Sequence, residues 1–381
     1  MILKNAKVFD QDFNLVRADL AVSGDRITRI APELFGTDAL DLSGCLIAPG
    51  LVDIHIHGCK GVDTCDGTRE AIAKMAAHLA ESGVTSFCPT TMTVPLKQLE
   101  RALSAVRDCM ERPPQGAAVR GANMEGPYLS QNRLGAQLQT CVRKPDCQEF
   151  ERLYKGCGGI IRLVDVAPEQ EGGMAFVQYA SRLCRVSLAH SEADYDQAVE
   201  AFRQGATHVT HLFNAMNGMN HRAPGLVGAV FDEARVKAEL ICDGFHIHPA
   251  VLRSAFRLLG EDRTVVVSDS MRAAGMPDGE YELGGQWVQV AGGRALLENG
   301  TIAGSTAALL DEVKNLIRFG IPVRQAFKSA TINPASEIGA EHEIGSIAEG
   351  KRADLIVMDE EFTLRMTIVG GGIVPPSSGQ R

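Results

Sequence analysis

Apolar and polar positions change their rhythm along the chain. In the first fifty residues, short apolar runs at Ile2–Phe9, Ala18–Val22 and Ile27–Ile30 are separated by Asp, Asn and Gly, which predicts short strands joined by turns. From Leu51 onward, longer apolar runs alternate with stretches of helical period, the pattern of βαβ units and a parallel sheet. Strands are expected at Leu51–His57, Val84–Thr90, Val119–Glu125, Ile161–Ala167, Arg185–His190, Thr207–Leu212, Lys237–Cys242 and Thr264–Asp269. Helices are expected between them, over Thr68–Ser82, Leu96–Glu111, Ala175–Cys184, Ala193–Gln204 and Pro249–Leu259. The short-strand rhythm returns at Asp354–Met358 and Met366–Val369, where Gly370-Gly371-Gly372 ends it.

Eight strand–helix alternations predict an α/β fold, a closed (β/α)8 TIM-like barrel over residues 50–344 rather than an open doubly wound sheet. No GxGxxG follows the first strand, so a dinucleotide fold lacks its fingerprint. The β-rich ends, 1–49 and 345–381, are expected to build one small β-sandwich domain together, with a loose polar tail over Pro375–Arg381.

Composition narrows the function. With 45% hydrophobic and 22% charged residues, the chain falls outside the disordered class. A net charge of −9 argues against nucleic acid as a partner, although a local basic pocket can still take a small anion. No apolar run approaches the roughly 20 residues of a membrane span, and Asp10 and Asp12 interrupt the start, so neither a signal peptide nor a membrane partner is expected. The ten cysteines form no CxxC pair, which removes zinc-ribbon and disulfide scaffolds and leaves reduced thiols in a cytoplasmic protein.

The ionisable residues are placed tellingly. His55 and His57 close the first predicted strand, Glu125 the third, His190 the fifth, His211 the sixth and Asp269 the eighth. These are C-terminal strand ends, the edge where barrel enzymes hold their active sites. Residues i and i+2 of a strand share a side, so His55 and His57 face the same way. One histidine ending a strand is more often structural than a ligand, but six such groups at one edge form a candidate metal cluster. Imidazole and carboxylate donors suit a divalent cation, zinc first, with iron, manganese or cobalt as alternatives. His208 is expected on the opposite face as a structural residue, and His78, His248 and His342 receive no role. The connection from Phe213 to about Val236 is long enough to be functional, and its His221 and Arg222 suit a phosphate.

The run Pro49-Gly50-Leu51-Val52-Asp53-Ile54-His55-Ile56-His57-Gly58 resembles the first-strand signature of the amidohydrolase superfamily. Glu125-Gly126-Pro127, Thr207-His208-Val209-Thr210-His211-Leu212-Phe213-Asn214-Ala215-Met216, Asp243-Gly244-Phe245-His246 and Ala303-Gly304-Ser305 are similar to N-acetylglucosamine-6-phosphate deacetylases, in order along the whole chain. The resemblance implies metal-dependent hydrolysis of the acetamide of N-acetylglucosamine 6-phosphate. Glu125, His190 and His211 would hold a principal metal and His55 with His57 a second, so one or two per subunit, and Asp269 would be the catalytic acid and base. It further implies a substrate site of Ala136, Gln137, Asn214, Ala215, His221, Arg222, Asp243, His246, Ile302, Ala303 and Gly304, and a homodimer. Where many such proteins have Gly-Ala-His, this chain has Gly135-Ala136-Gln137, and Leu134 stands where lysine is frequent. The competing readings are an amidohydrolase for another N-acyl sugar or amino acid, and a catalytically silent barrel used as a binding scaffold.

Overall fold

Eight parallel strands lie side by side in chain order: Leu51–Ile56, Val84–Thr91, Ala122–Tyr128, Ile161–Val166, Arg185–Leu188, His208–Val209, Lys237–Leu240 and Thr264–Val266. The computed structural model describes residues 1–377, so the last four residues of the expected loose tail lie outside the described residues. Bonds at the top close the ring between the eighth and first strands. Asp269 N–H donates to the His55 carbonyl at 3.0 Å and His57 N–H to that of Ser270 at 2.9 Å. Below them Ser268 Oγ donates to buried Asp53 at 2.6 Å, and burial pushes the Asp53 carboxyl up to about 6.

The helices between strands follow their caps. Arg69–Glu81 starts where the Thr68 side chain accepts from Ala71 N–H. Tyr195–Gln204 starts in a capping box of Asp194 and Gln197. Their apolar faces pack on the barrel together with Phe87, Phe150, Phe176, Phe202 and Phe256. Each ring fully removed from water contributes about 1.5–3 kcal/mol. The barrel interior is less usual. Asn123, Asp165, Ser187, His208, Thr210 and Glu239 are all fully buried, where apolar layers ordinarily fill such a lumen.

The termini form a second unit of two sheets. Leu355–Met358 pairs antiparallel with Leu46–Pro49, which joins the C-terminal strands to the N-terminal ones. A four-stranded sheet containing Ile2–Lys4, Asp19–Ser23 and Arg26–Ala31 packs against it through Leu3, Leu20, Ile27, Ile47, Leu355, Val357 and Ile368. The single strand expected over Ile2–Phe9 is two, one in each sheet. Asn5 breaks it at φ +66, a left-handed position that asparagine tolerates, and its amide groups bond Asp19 and Asp41.

A three-stranded antiparallel sheet, Gly279–Leu283, Gln286–Ala291 and Arg294–Leu297, follows the eighth strand and has no counterpart among the expected elements. Its turns are Gly284-Gly285 and Gly292-Gly293, all four at positive φ, as tight two-residue hairpins require. Those glycine pairs are the signal that could have revealed it. Gln286 Nε2 of this sheet donates to the Ala136 carbonyl at 2.6 Å, and Trp287, the only tryptophan, is 75% exposed beside it. No described helix is long and apolar enough to cross a membrane.

Candidate active site

Glu125 stands at the centre. Its Oε1 lies 3.0 Å from Nε2 of both His190 and His211. Its Oε2 lies 3.2 Å from His57 Nε2 and 3.7 Å from His55 Nε2. Asp269 Oδ1 completes the ring, 3.1 Å from His57 Nε2 and 3.5 Å from His55 Nε2. The residue after Glu125 must be glycine, because a Cβ on Gly126 would lie 2.1 Å from Thr93 Oγ1.

The expected strands overrun the observed ones here. The ladders stop at Leu188, Val209 and Val266, and His190, His211 and Asp269 follow at φ +46, +29 and +45. Non-glycine residues are rarely held there, and the strain, of order 1–3 kcal/mol each, clusters at functional sites. An extended continuation would alternate side chains across the sheet, whereas this turn brings all three to one centre.

The donor set fits a divalent cation. Two overlapping triads, His55–His57–Glu125 and Glu125–His190–His211, each bring one donor atom per residue within 4.8 Å. The 3.0–3.7 Å separations are close to the roughly 3.4 Å edge of a tetrahedron with bonds near 2.05 Å. Ring orientation agrees. Nδ1 of His190 meets the Arg133 carbonyl at 2.7 Å, Nδ1 of His57 the Thr90 carbonyl at 3.3 Å, and Nδ1 of His55 the Glu239 carboxylate at 2.8 Å. With Nδ1–H donated outward, Nε2 carries its lone pair inward, and His55 Nε2 is buried without a hydrogen-bond partner. Burial pushes the Glu125 carboxyl up, but facing His55, His190 and His211 outweigh it and hold it well below the usual range, as a ligand requires.

A cavity of about 220 Å³ opens onto this cluster. Its walls carry Ala136, Gln137, Asn214, Ala215, His246, Ile302 and Gly304 of the expected substrate residues, with Leu283 from the unforeseen sheet. Asp243 stands behind, 2.7 Å from His246 Nδ1. Ala303 is buried, while His221 and Arg222 are exposed on the long connection and do not line the cavity. Gln137 is placed differently from a carbonyl-polarising group. Its Oε1 accepts from Thr93 N–H at 2.7 Å, and its Nε2 donates to Glu125 Oε2 at 2.7 Å with Met92 Sδ at 3.7 Å.

His208 is not on the outer face. It lies beneath the cluster, its Nε2 3.1 Å from Glu239 Oε1 and its Nδ1 2.7 Å from Glu337 Oε2. Burial disfavours its charge, but the bonds to Glu239 and Glu337 prevail and push its pKa up to about 9 from 6.5. A raised pKa means that its contribution is fully present below pH 6.5 and is lost as pH rises through 9. Stability should fall over that window by up to about 3 kcal/mol. Denaturant unfolding across the window checks this, and a His208→Gln variant with an equally steep decline would assign it elsewhere. Glu239 itself escapes the sequence reading, although a lone acid inside the apolar run Lys237–Cys242 is a signal that it has a buried partner.

A sequence model of the Amidohydrolase family matches residues 46–374. The chain is 36% identical to the N-acetylglucosamine-6-phosphate deacetylase of Vibrio furnissii over 88% of this chain and 85% of that one. It is also 36% identical to the N-acetylgalactosamine-6-phosphate deacetylase of Escherichia coli O157:H7, over 86% and 87%. The structure superposes with TM-score 0.93 and 31% identity on a mutant N-acetyl-D-glucosamine-6-phosphate deacetylase from Mycobacterium smegmatis, solved in complex with N-acetyl-D-glucosamine-6-phosphate, over 98% of both chains.

Proposed function

The chain belongs to the amidohydrolase family, and from that premise we infer that it hydrolyses the acetamide of N-acetylglucosamine 6-phosphate to glucosamine 6-phosphate and acetate. The observation that carries the reading is a carboxylate, Asp269, held beside two imidazole–carboxylate triads at the floor of one cavity. His55, His57, Glu125, His190 and His211 would hold the divalent cation, which would supply a bound water with its pKa lowered towards ~7 and a Lewis acid for the acetyl carbonyl. Asp269, whose Oδ1 lies 3.1 Å from His57 Nε2, would take the proton of the attacking water. It then delivers that proton to the departing nitrogen, since an amine leaves poorly unless protonated. Asn214, Ala215 and His246 face the same cavity and orient the sugar.

The metal, the assembly and the location are supported by separate observations. Zinc suits the imidazole and carboxylate donor sets, and both triads support two ions per chain. His221 and Arg222 are exposed and do not line their own cavity, which supports a homodimer in which this connection serves the neighbouring subunit's phosphate. A cytoplasmic location accords with ten free cysteines.

The galacto epimer is the second reading, because a deacetylase of that name is as similar in sequence as the gluco enzyme. Acetate release should be measured on both 6-phosphates and on unphosphorylated N-acetylglucosamine. Preference for N-acetylglucosamine 6-phosphate is the expected result. Preference for the galacto ester would exchange the substrate within the same chemistry. Equal turnover without the phosphate would remove the phosphate subsite, and no turnover by metal-loaded protein would overturn the reading.

A further inference from the structure

Beneath the cluster a row of buried polar groups runs through the barrel. His55 Nδ1 lies 2.8 Å from Glu239 Oε2, and Glu239 Oε1 lies 3.1 Å from His208 Nε2. His208 Nδ1 lies 2.7 Å from Glu337 Oε2, and Glu337 is met at 3.3 Å by both Arg185 and Lys237. Glu239 is fully buried and its carboxylate also accepts the His211 N–H at 3.2 Å. Among the four histidines of the two triads, His55 alone has its Nδ1 on a carboxylate. His57 and His190 rest on neutral carbonyls, and His211 Nδ1 has no partner.

We propose that Glu239 is a positioning residue that determines whether the His55–His57–Glu125 triad takes up its own cation. The proposal rests on the two-cation reading above. Glu239 fixes the proton on His55 Nδ1, holds the ring still and makes its Nε2 a stronger donor. His208 and Glu337 brace Glu239 from below, so the carboxylate cannot turn away. The Glu125–His190–His211 triad draws only one backbone bond from Glu239 and is far less dependent on it.

A Glu239→Gln variant removes this arrangement with almost no change in volume. The amide has one acceptor oxygen for two rings that both need an acceptor. When it serves His208, its NH2 group faces His55 Nδ1 and drives the His55 proton to Nε2, the wrong nitrogen for a ligand.

The test is titration of metal-free protein with zinc alone, read by calorimetry and by metal content after dialysis against a chelator. Two equivalents are expected for the parent. In the variant the weaker equivalent should lose 10–100-fold in affinity while the tighter one stays within about threefold. Equal weakening of both would make Glu239 a general structural residue, and no weakening of either would remove its role. A parent that binds one equivalent overturns the two-cation reading and this proposal together. The titration involves no substrate, so a wrong substrate assignment leaves its outcome unaffected. Should the glutamine variant fail to fold, Glu239→Asp keeps the charge but withdraws it from His55, and the same split between equivalents applies.

Discussion

Asp269→Asn should release acetate about 10²–10⁴ times more slowly than the parent at matched metal content, the usual worth of a positioned acid–base group. Asp269 is pinned by its surroundings. Its N–H is bonded to the His55 carbonyl, its own carbonyl accepts from Ser305 N–H, and its backbone stands at φ +45. Asparagine tolerates that conformation, so the backbone should survive the change. Burial pushes the Asp269 carboxyl up, but the hydrogen bond to His57 and the nearby His55 outweigh it and hold it below the usual range. It is therefore ready to accept a proton at neutral pH, which an amide is not. Initial rates of acetate release, with metal content measured on the same samples, check this. A variant within tenfold of the parent would mean that another group moves the proton.

Glu125→Gln should be more damaging, through loss of the ions themselves. Glu125 is the one residue common to both triads, with one oxygen turned to each. A neutral amide offers one weak oxygen donor and an NH2 group that repels a cation. Metal content should fall at both sites, and activity on the order of 10⁴-fold, since the cation supplies several kcal/mol at the transition state. Retention of one firmly bound ion would show that the histidines of one triad suffice with Asp269, and that the carboxylate is not shared.

Much of this is legible in the chain. The barrel follows from the alternation of strand and helix periods. The cluster follows from where His55, His57, Glu125, His190, His211 and Asp269 fall on those strands, because strand geometry gives i and i+2 a common side. What the periods cannot show is the turn at His190, His211 and Asp269. Positive φ is uncommon for any non-glycine residue, and a periodic pattern of apolar positions does not locate it. Glu239 and Gln137 are hidden for another reason. Each acts through a partner more than ten residues away, and local pattern carries no such pairing. In sequence Gln137 reads as a group facing substrate, and it does line the cavity, but its bonds to Thr93 and Glu125 are not visible there. The sheet over Gly279–Leu297 is different again, since Gly284-Gly285 and Gly292-Gly293 announce its hairpins.

That small sheet also provides the protein with an optical reporter. Trp287 is the only indole among 381 residues, and it sits on the strand whose Gln286 grips the Ala136 carbonyl at the cavity wall. Red-edge excited emission therefore comes from this one place, free of the five tyrosines. A shift in its colour, or a change in its quenching by dissolved iodide, reads the state of that wall in unlabelled protein.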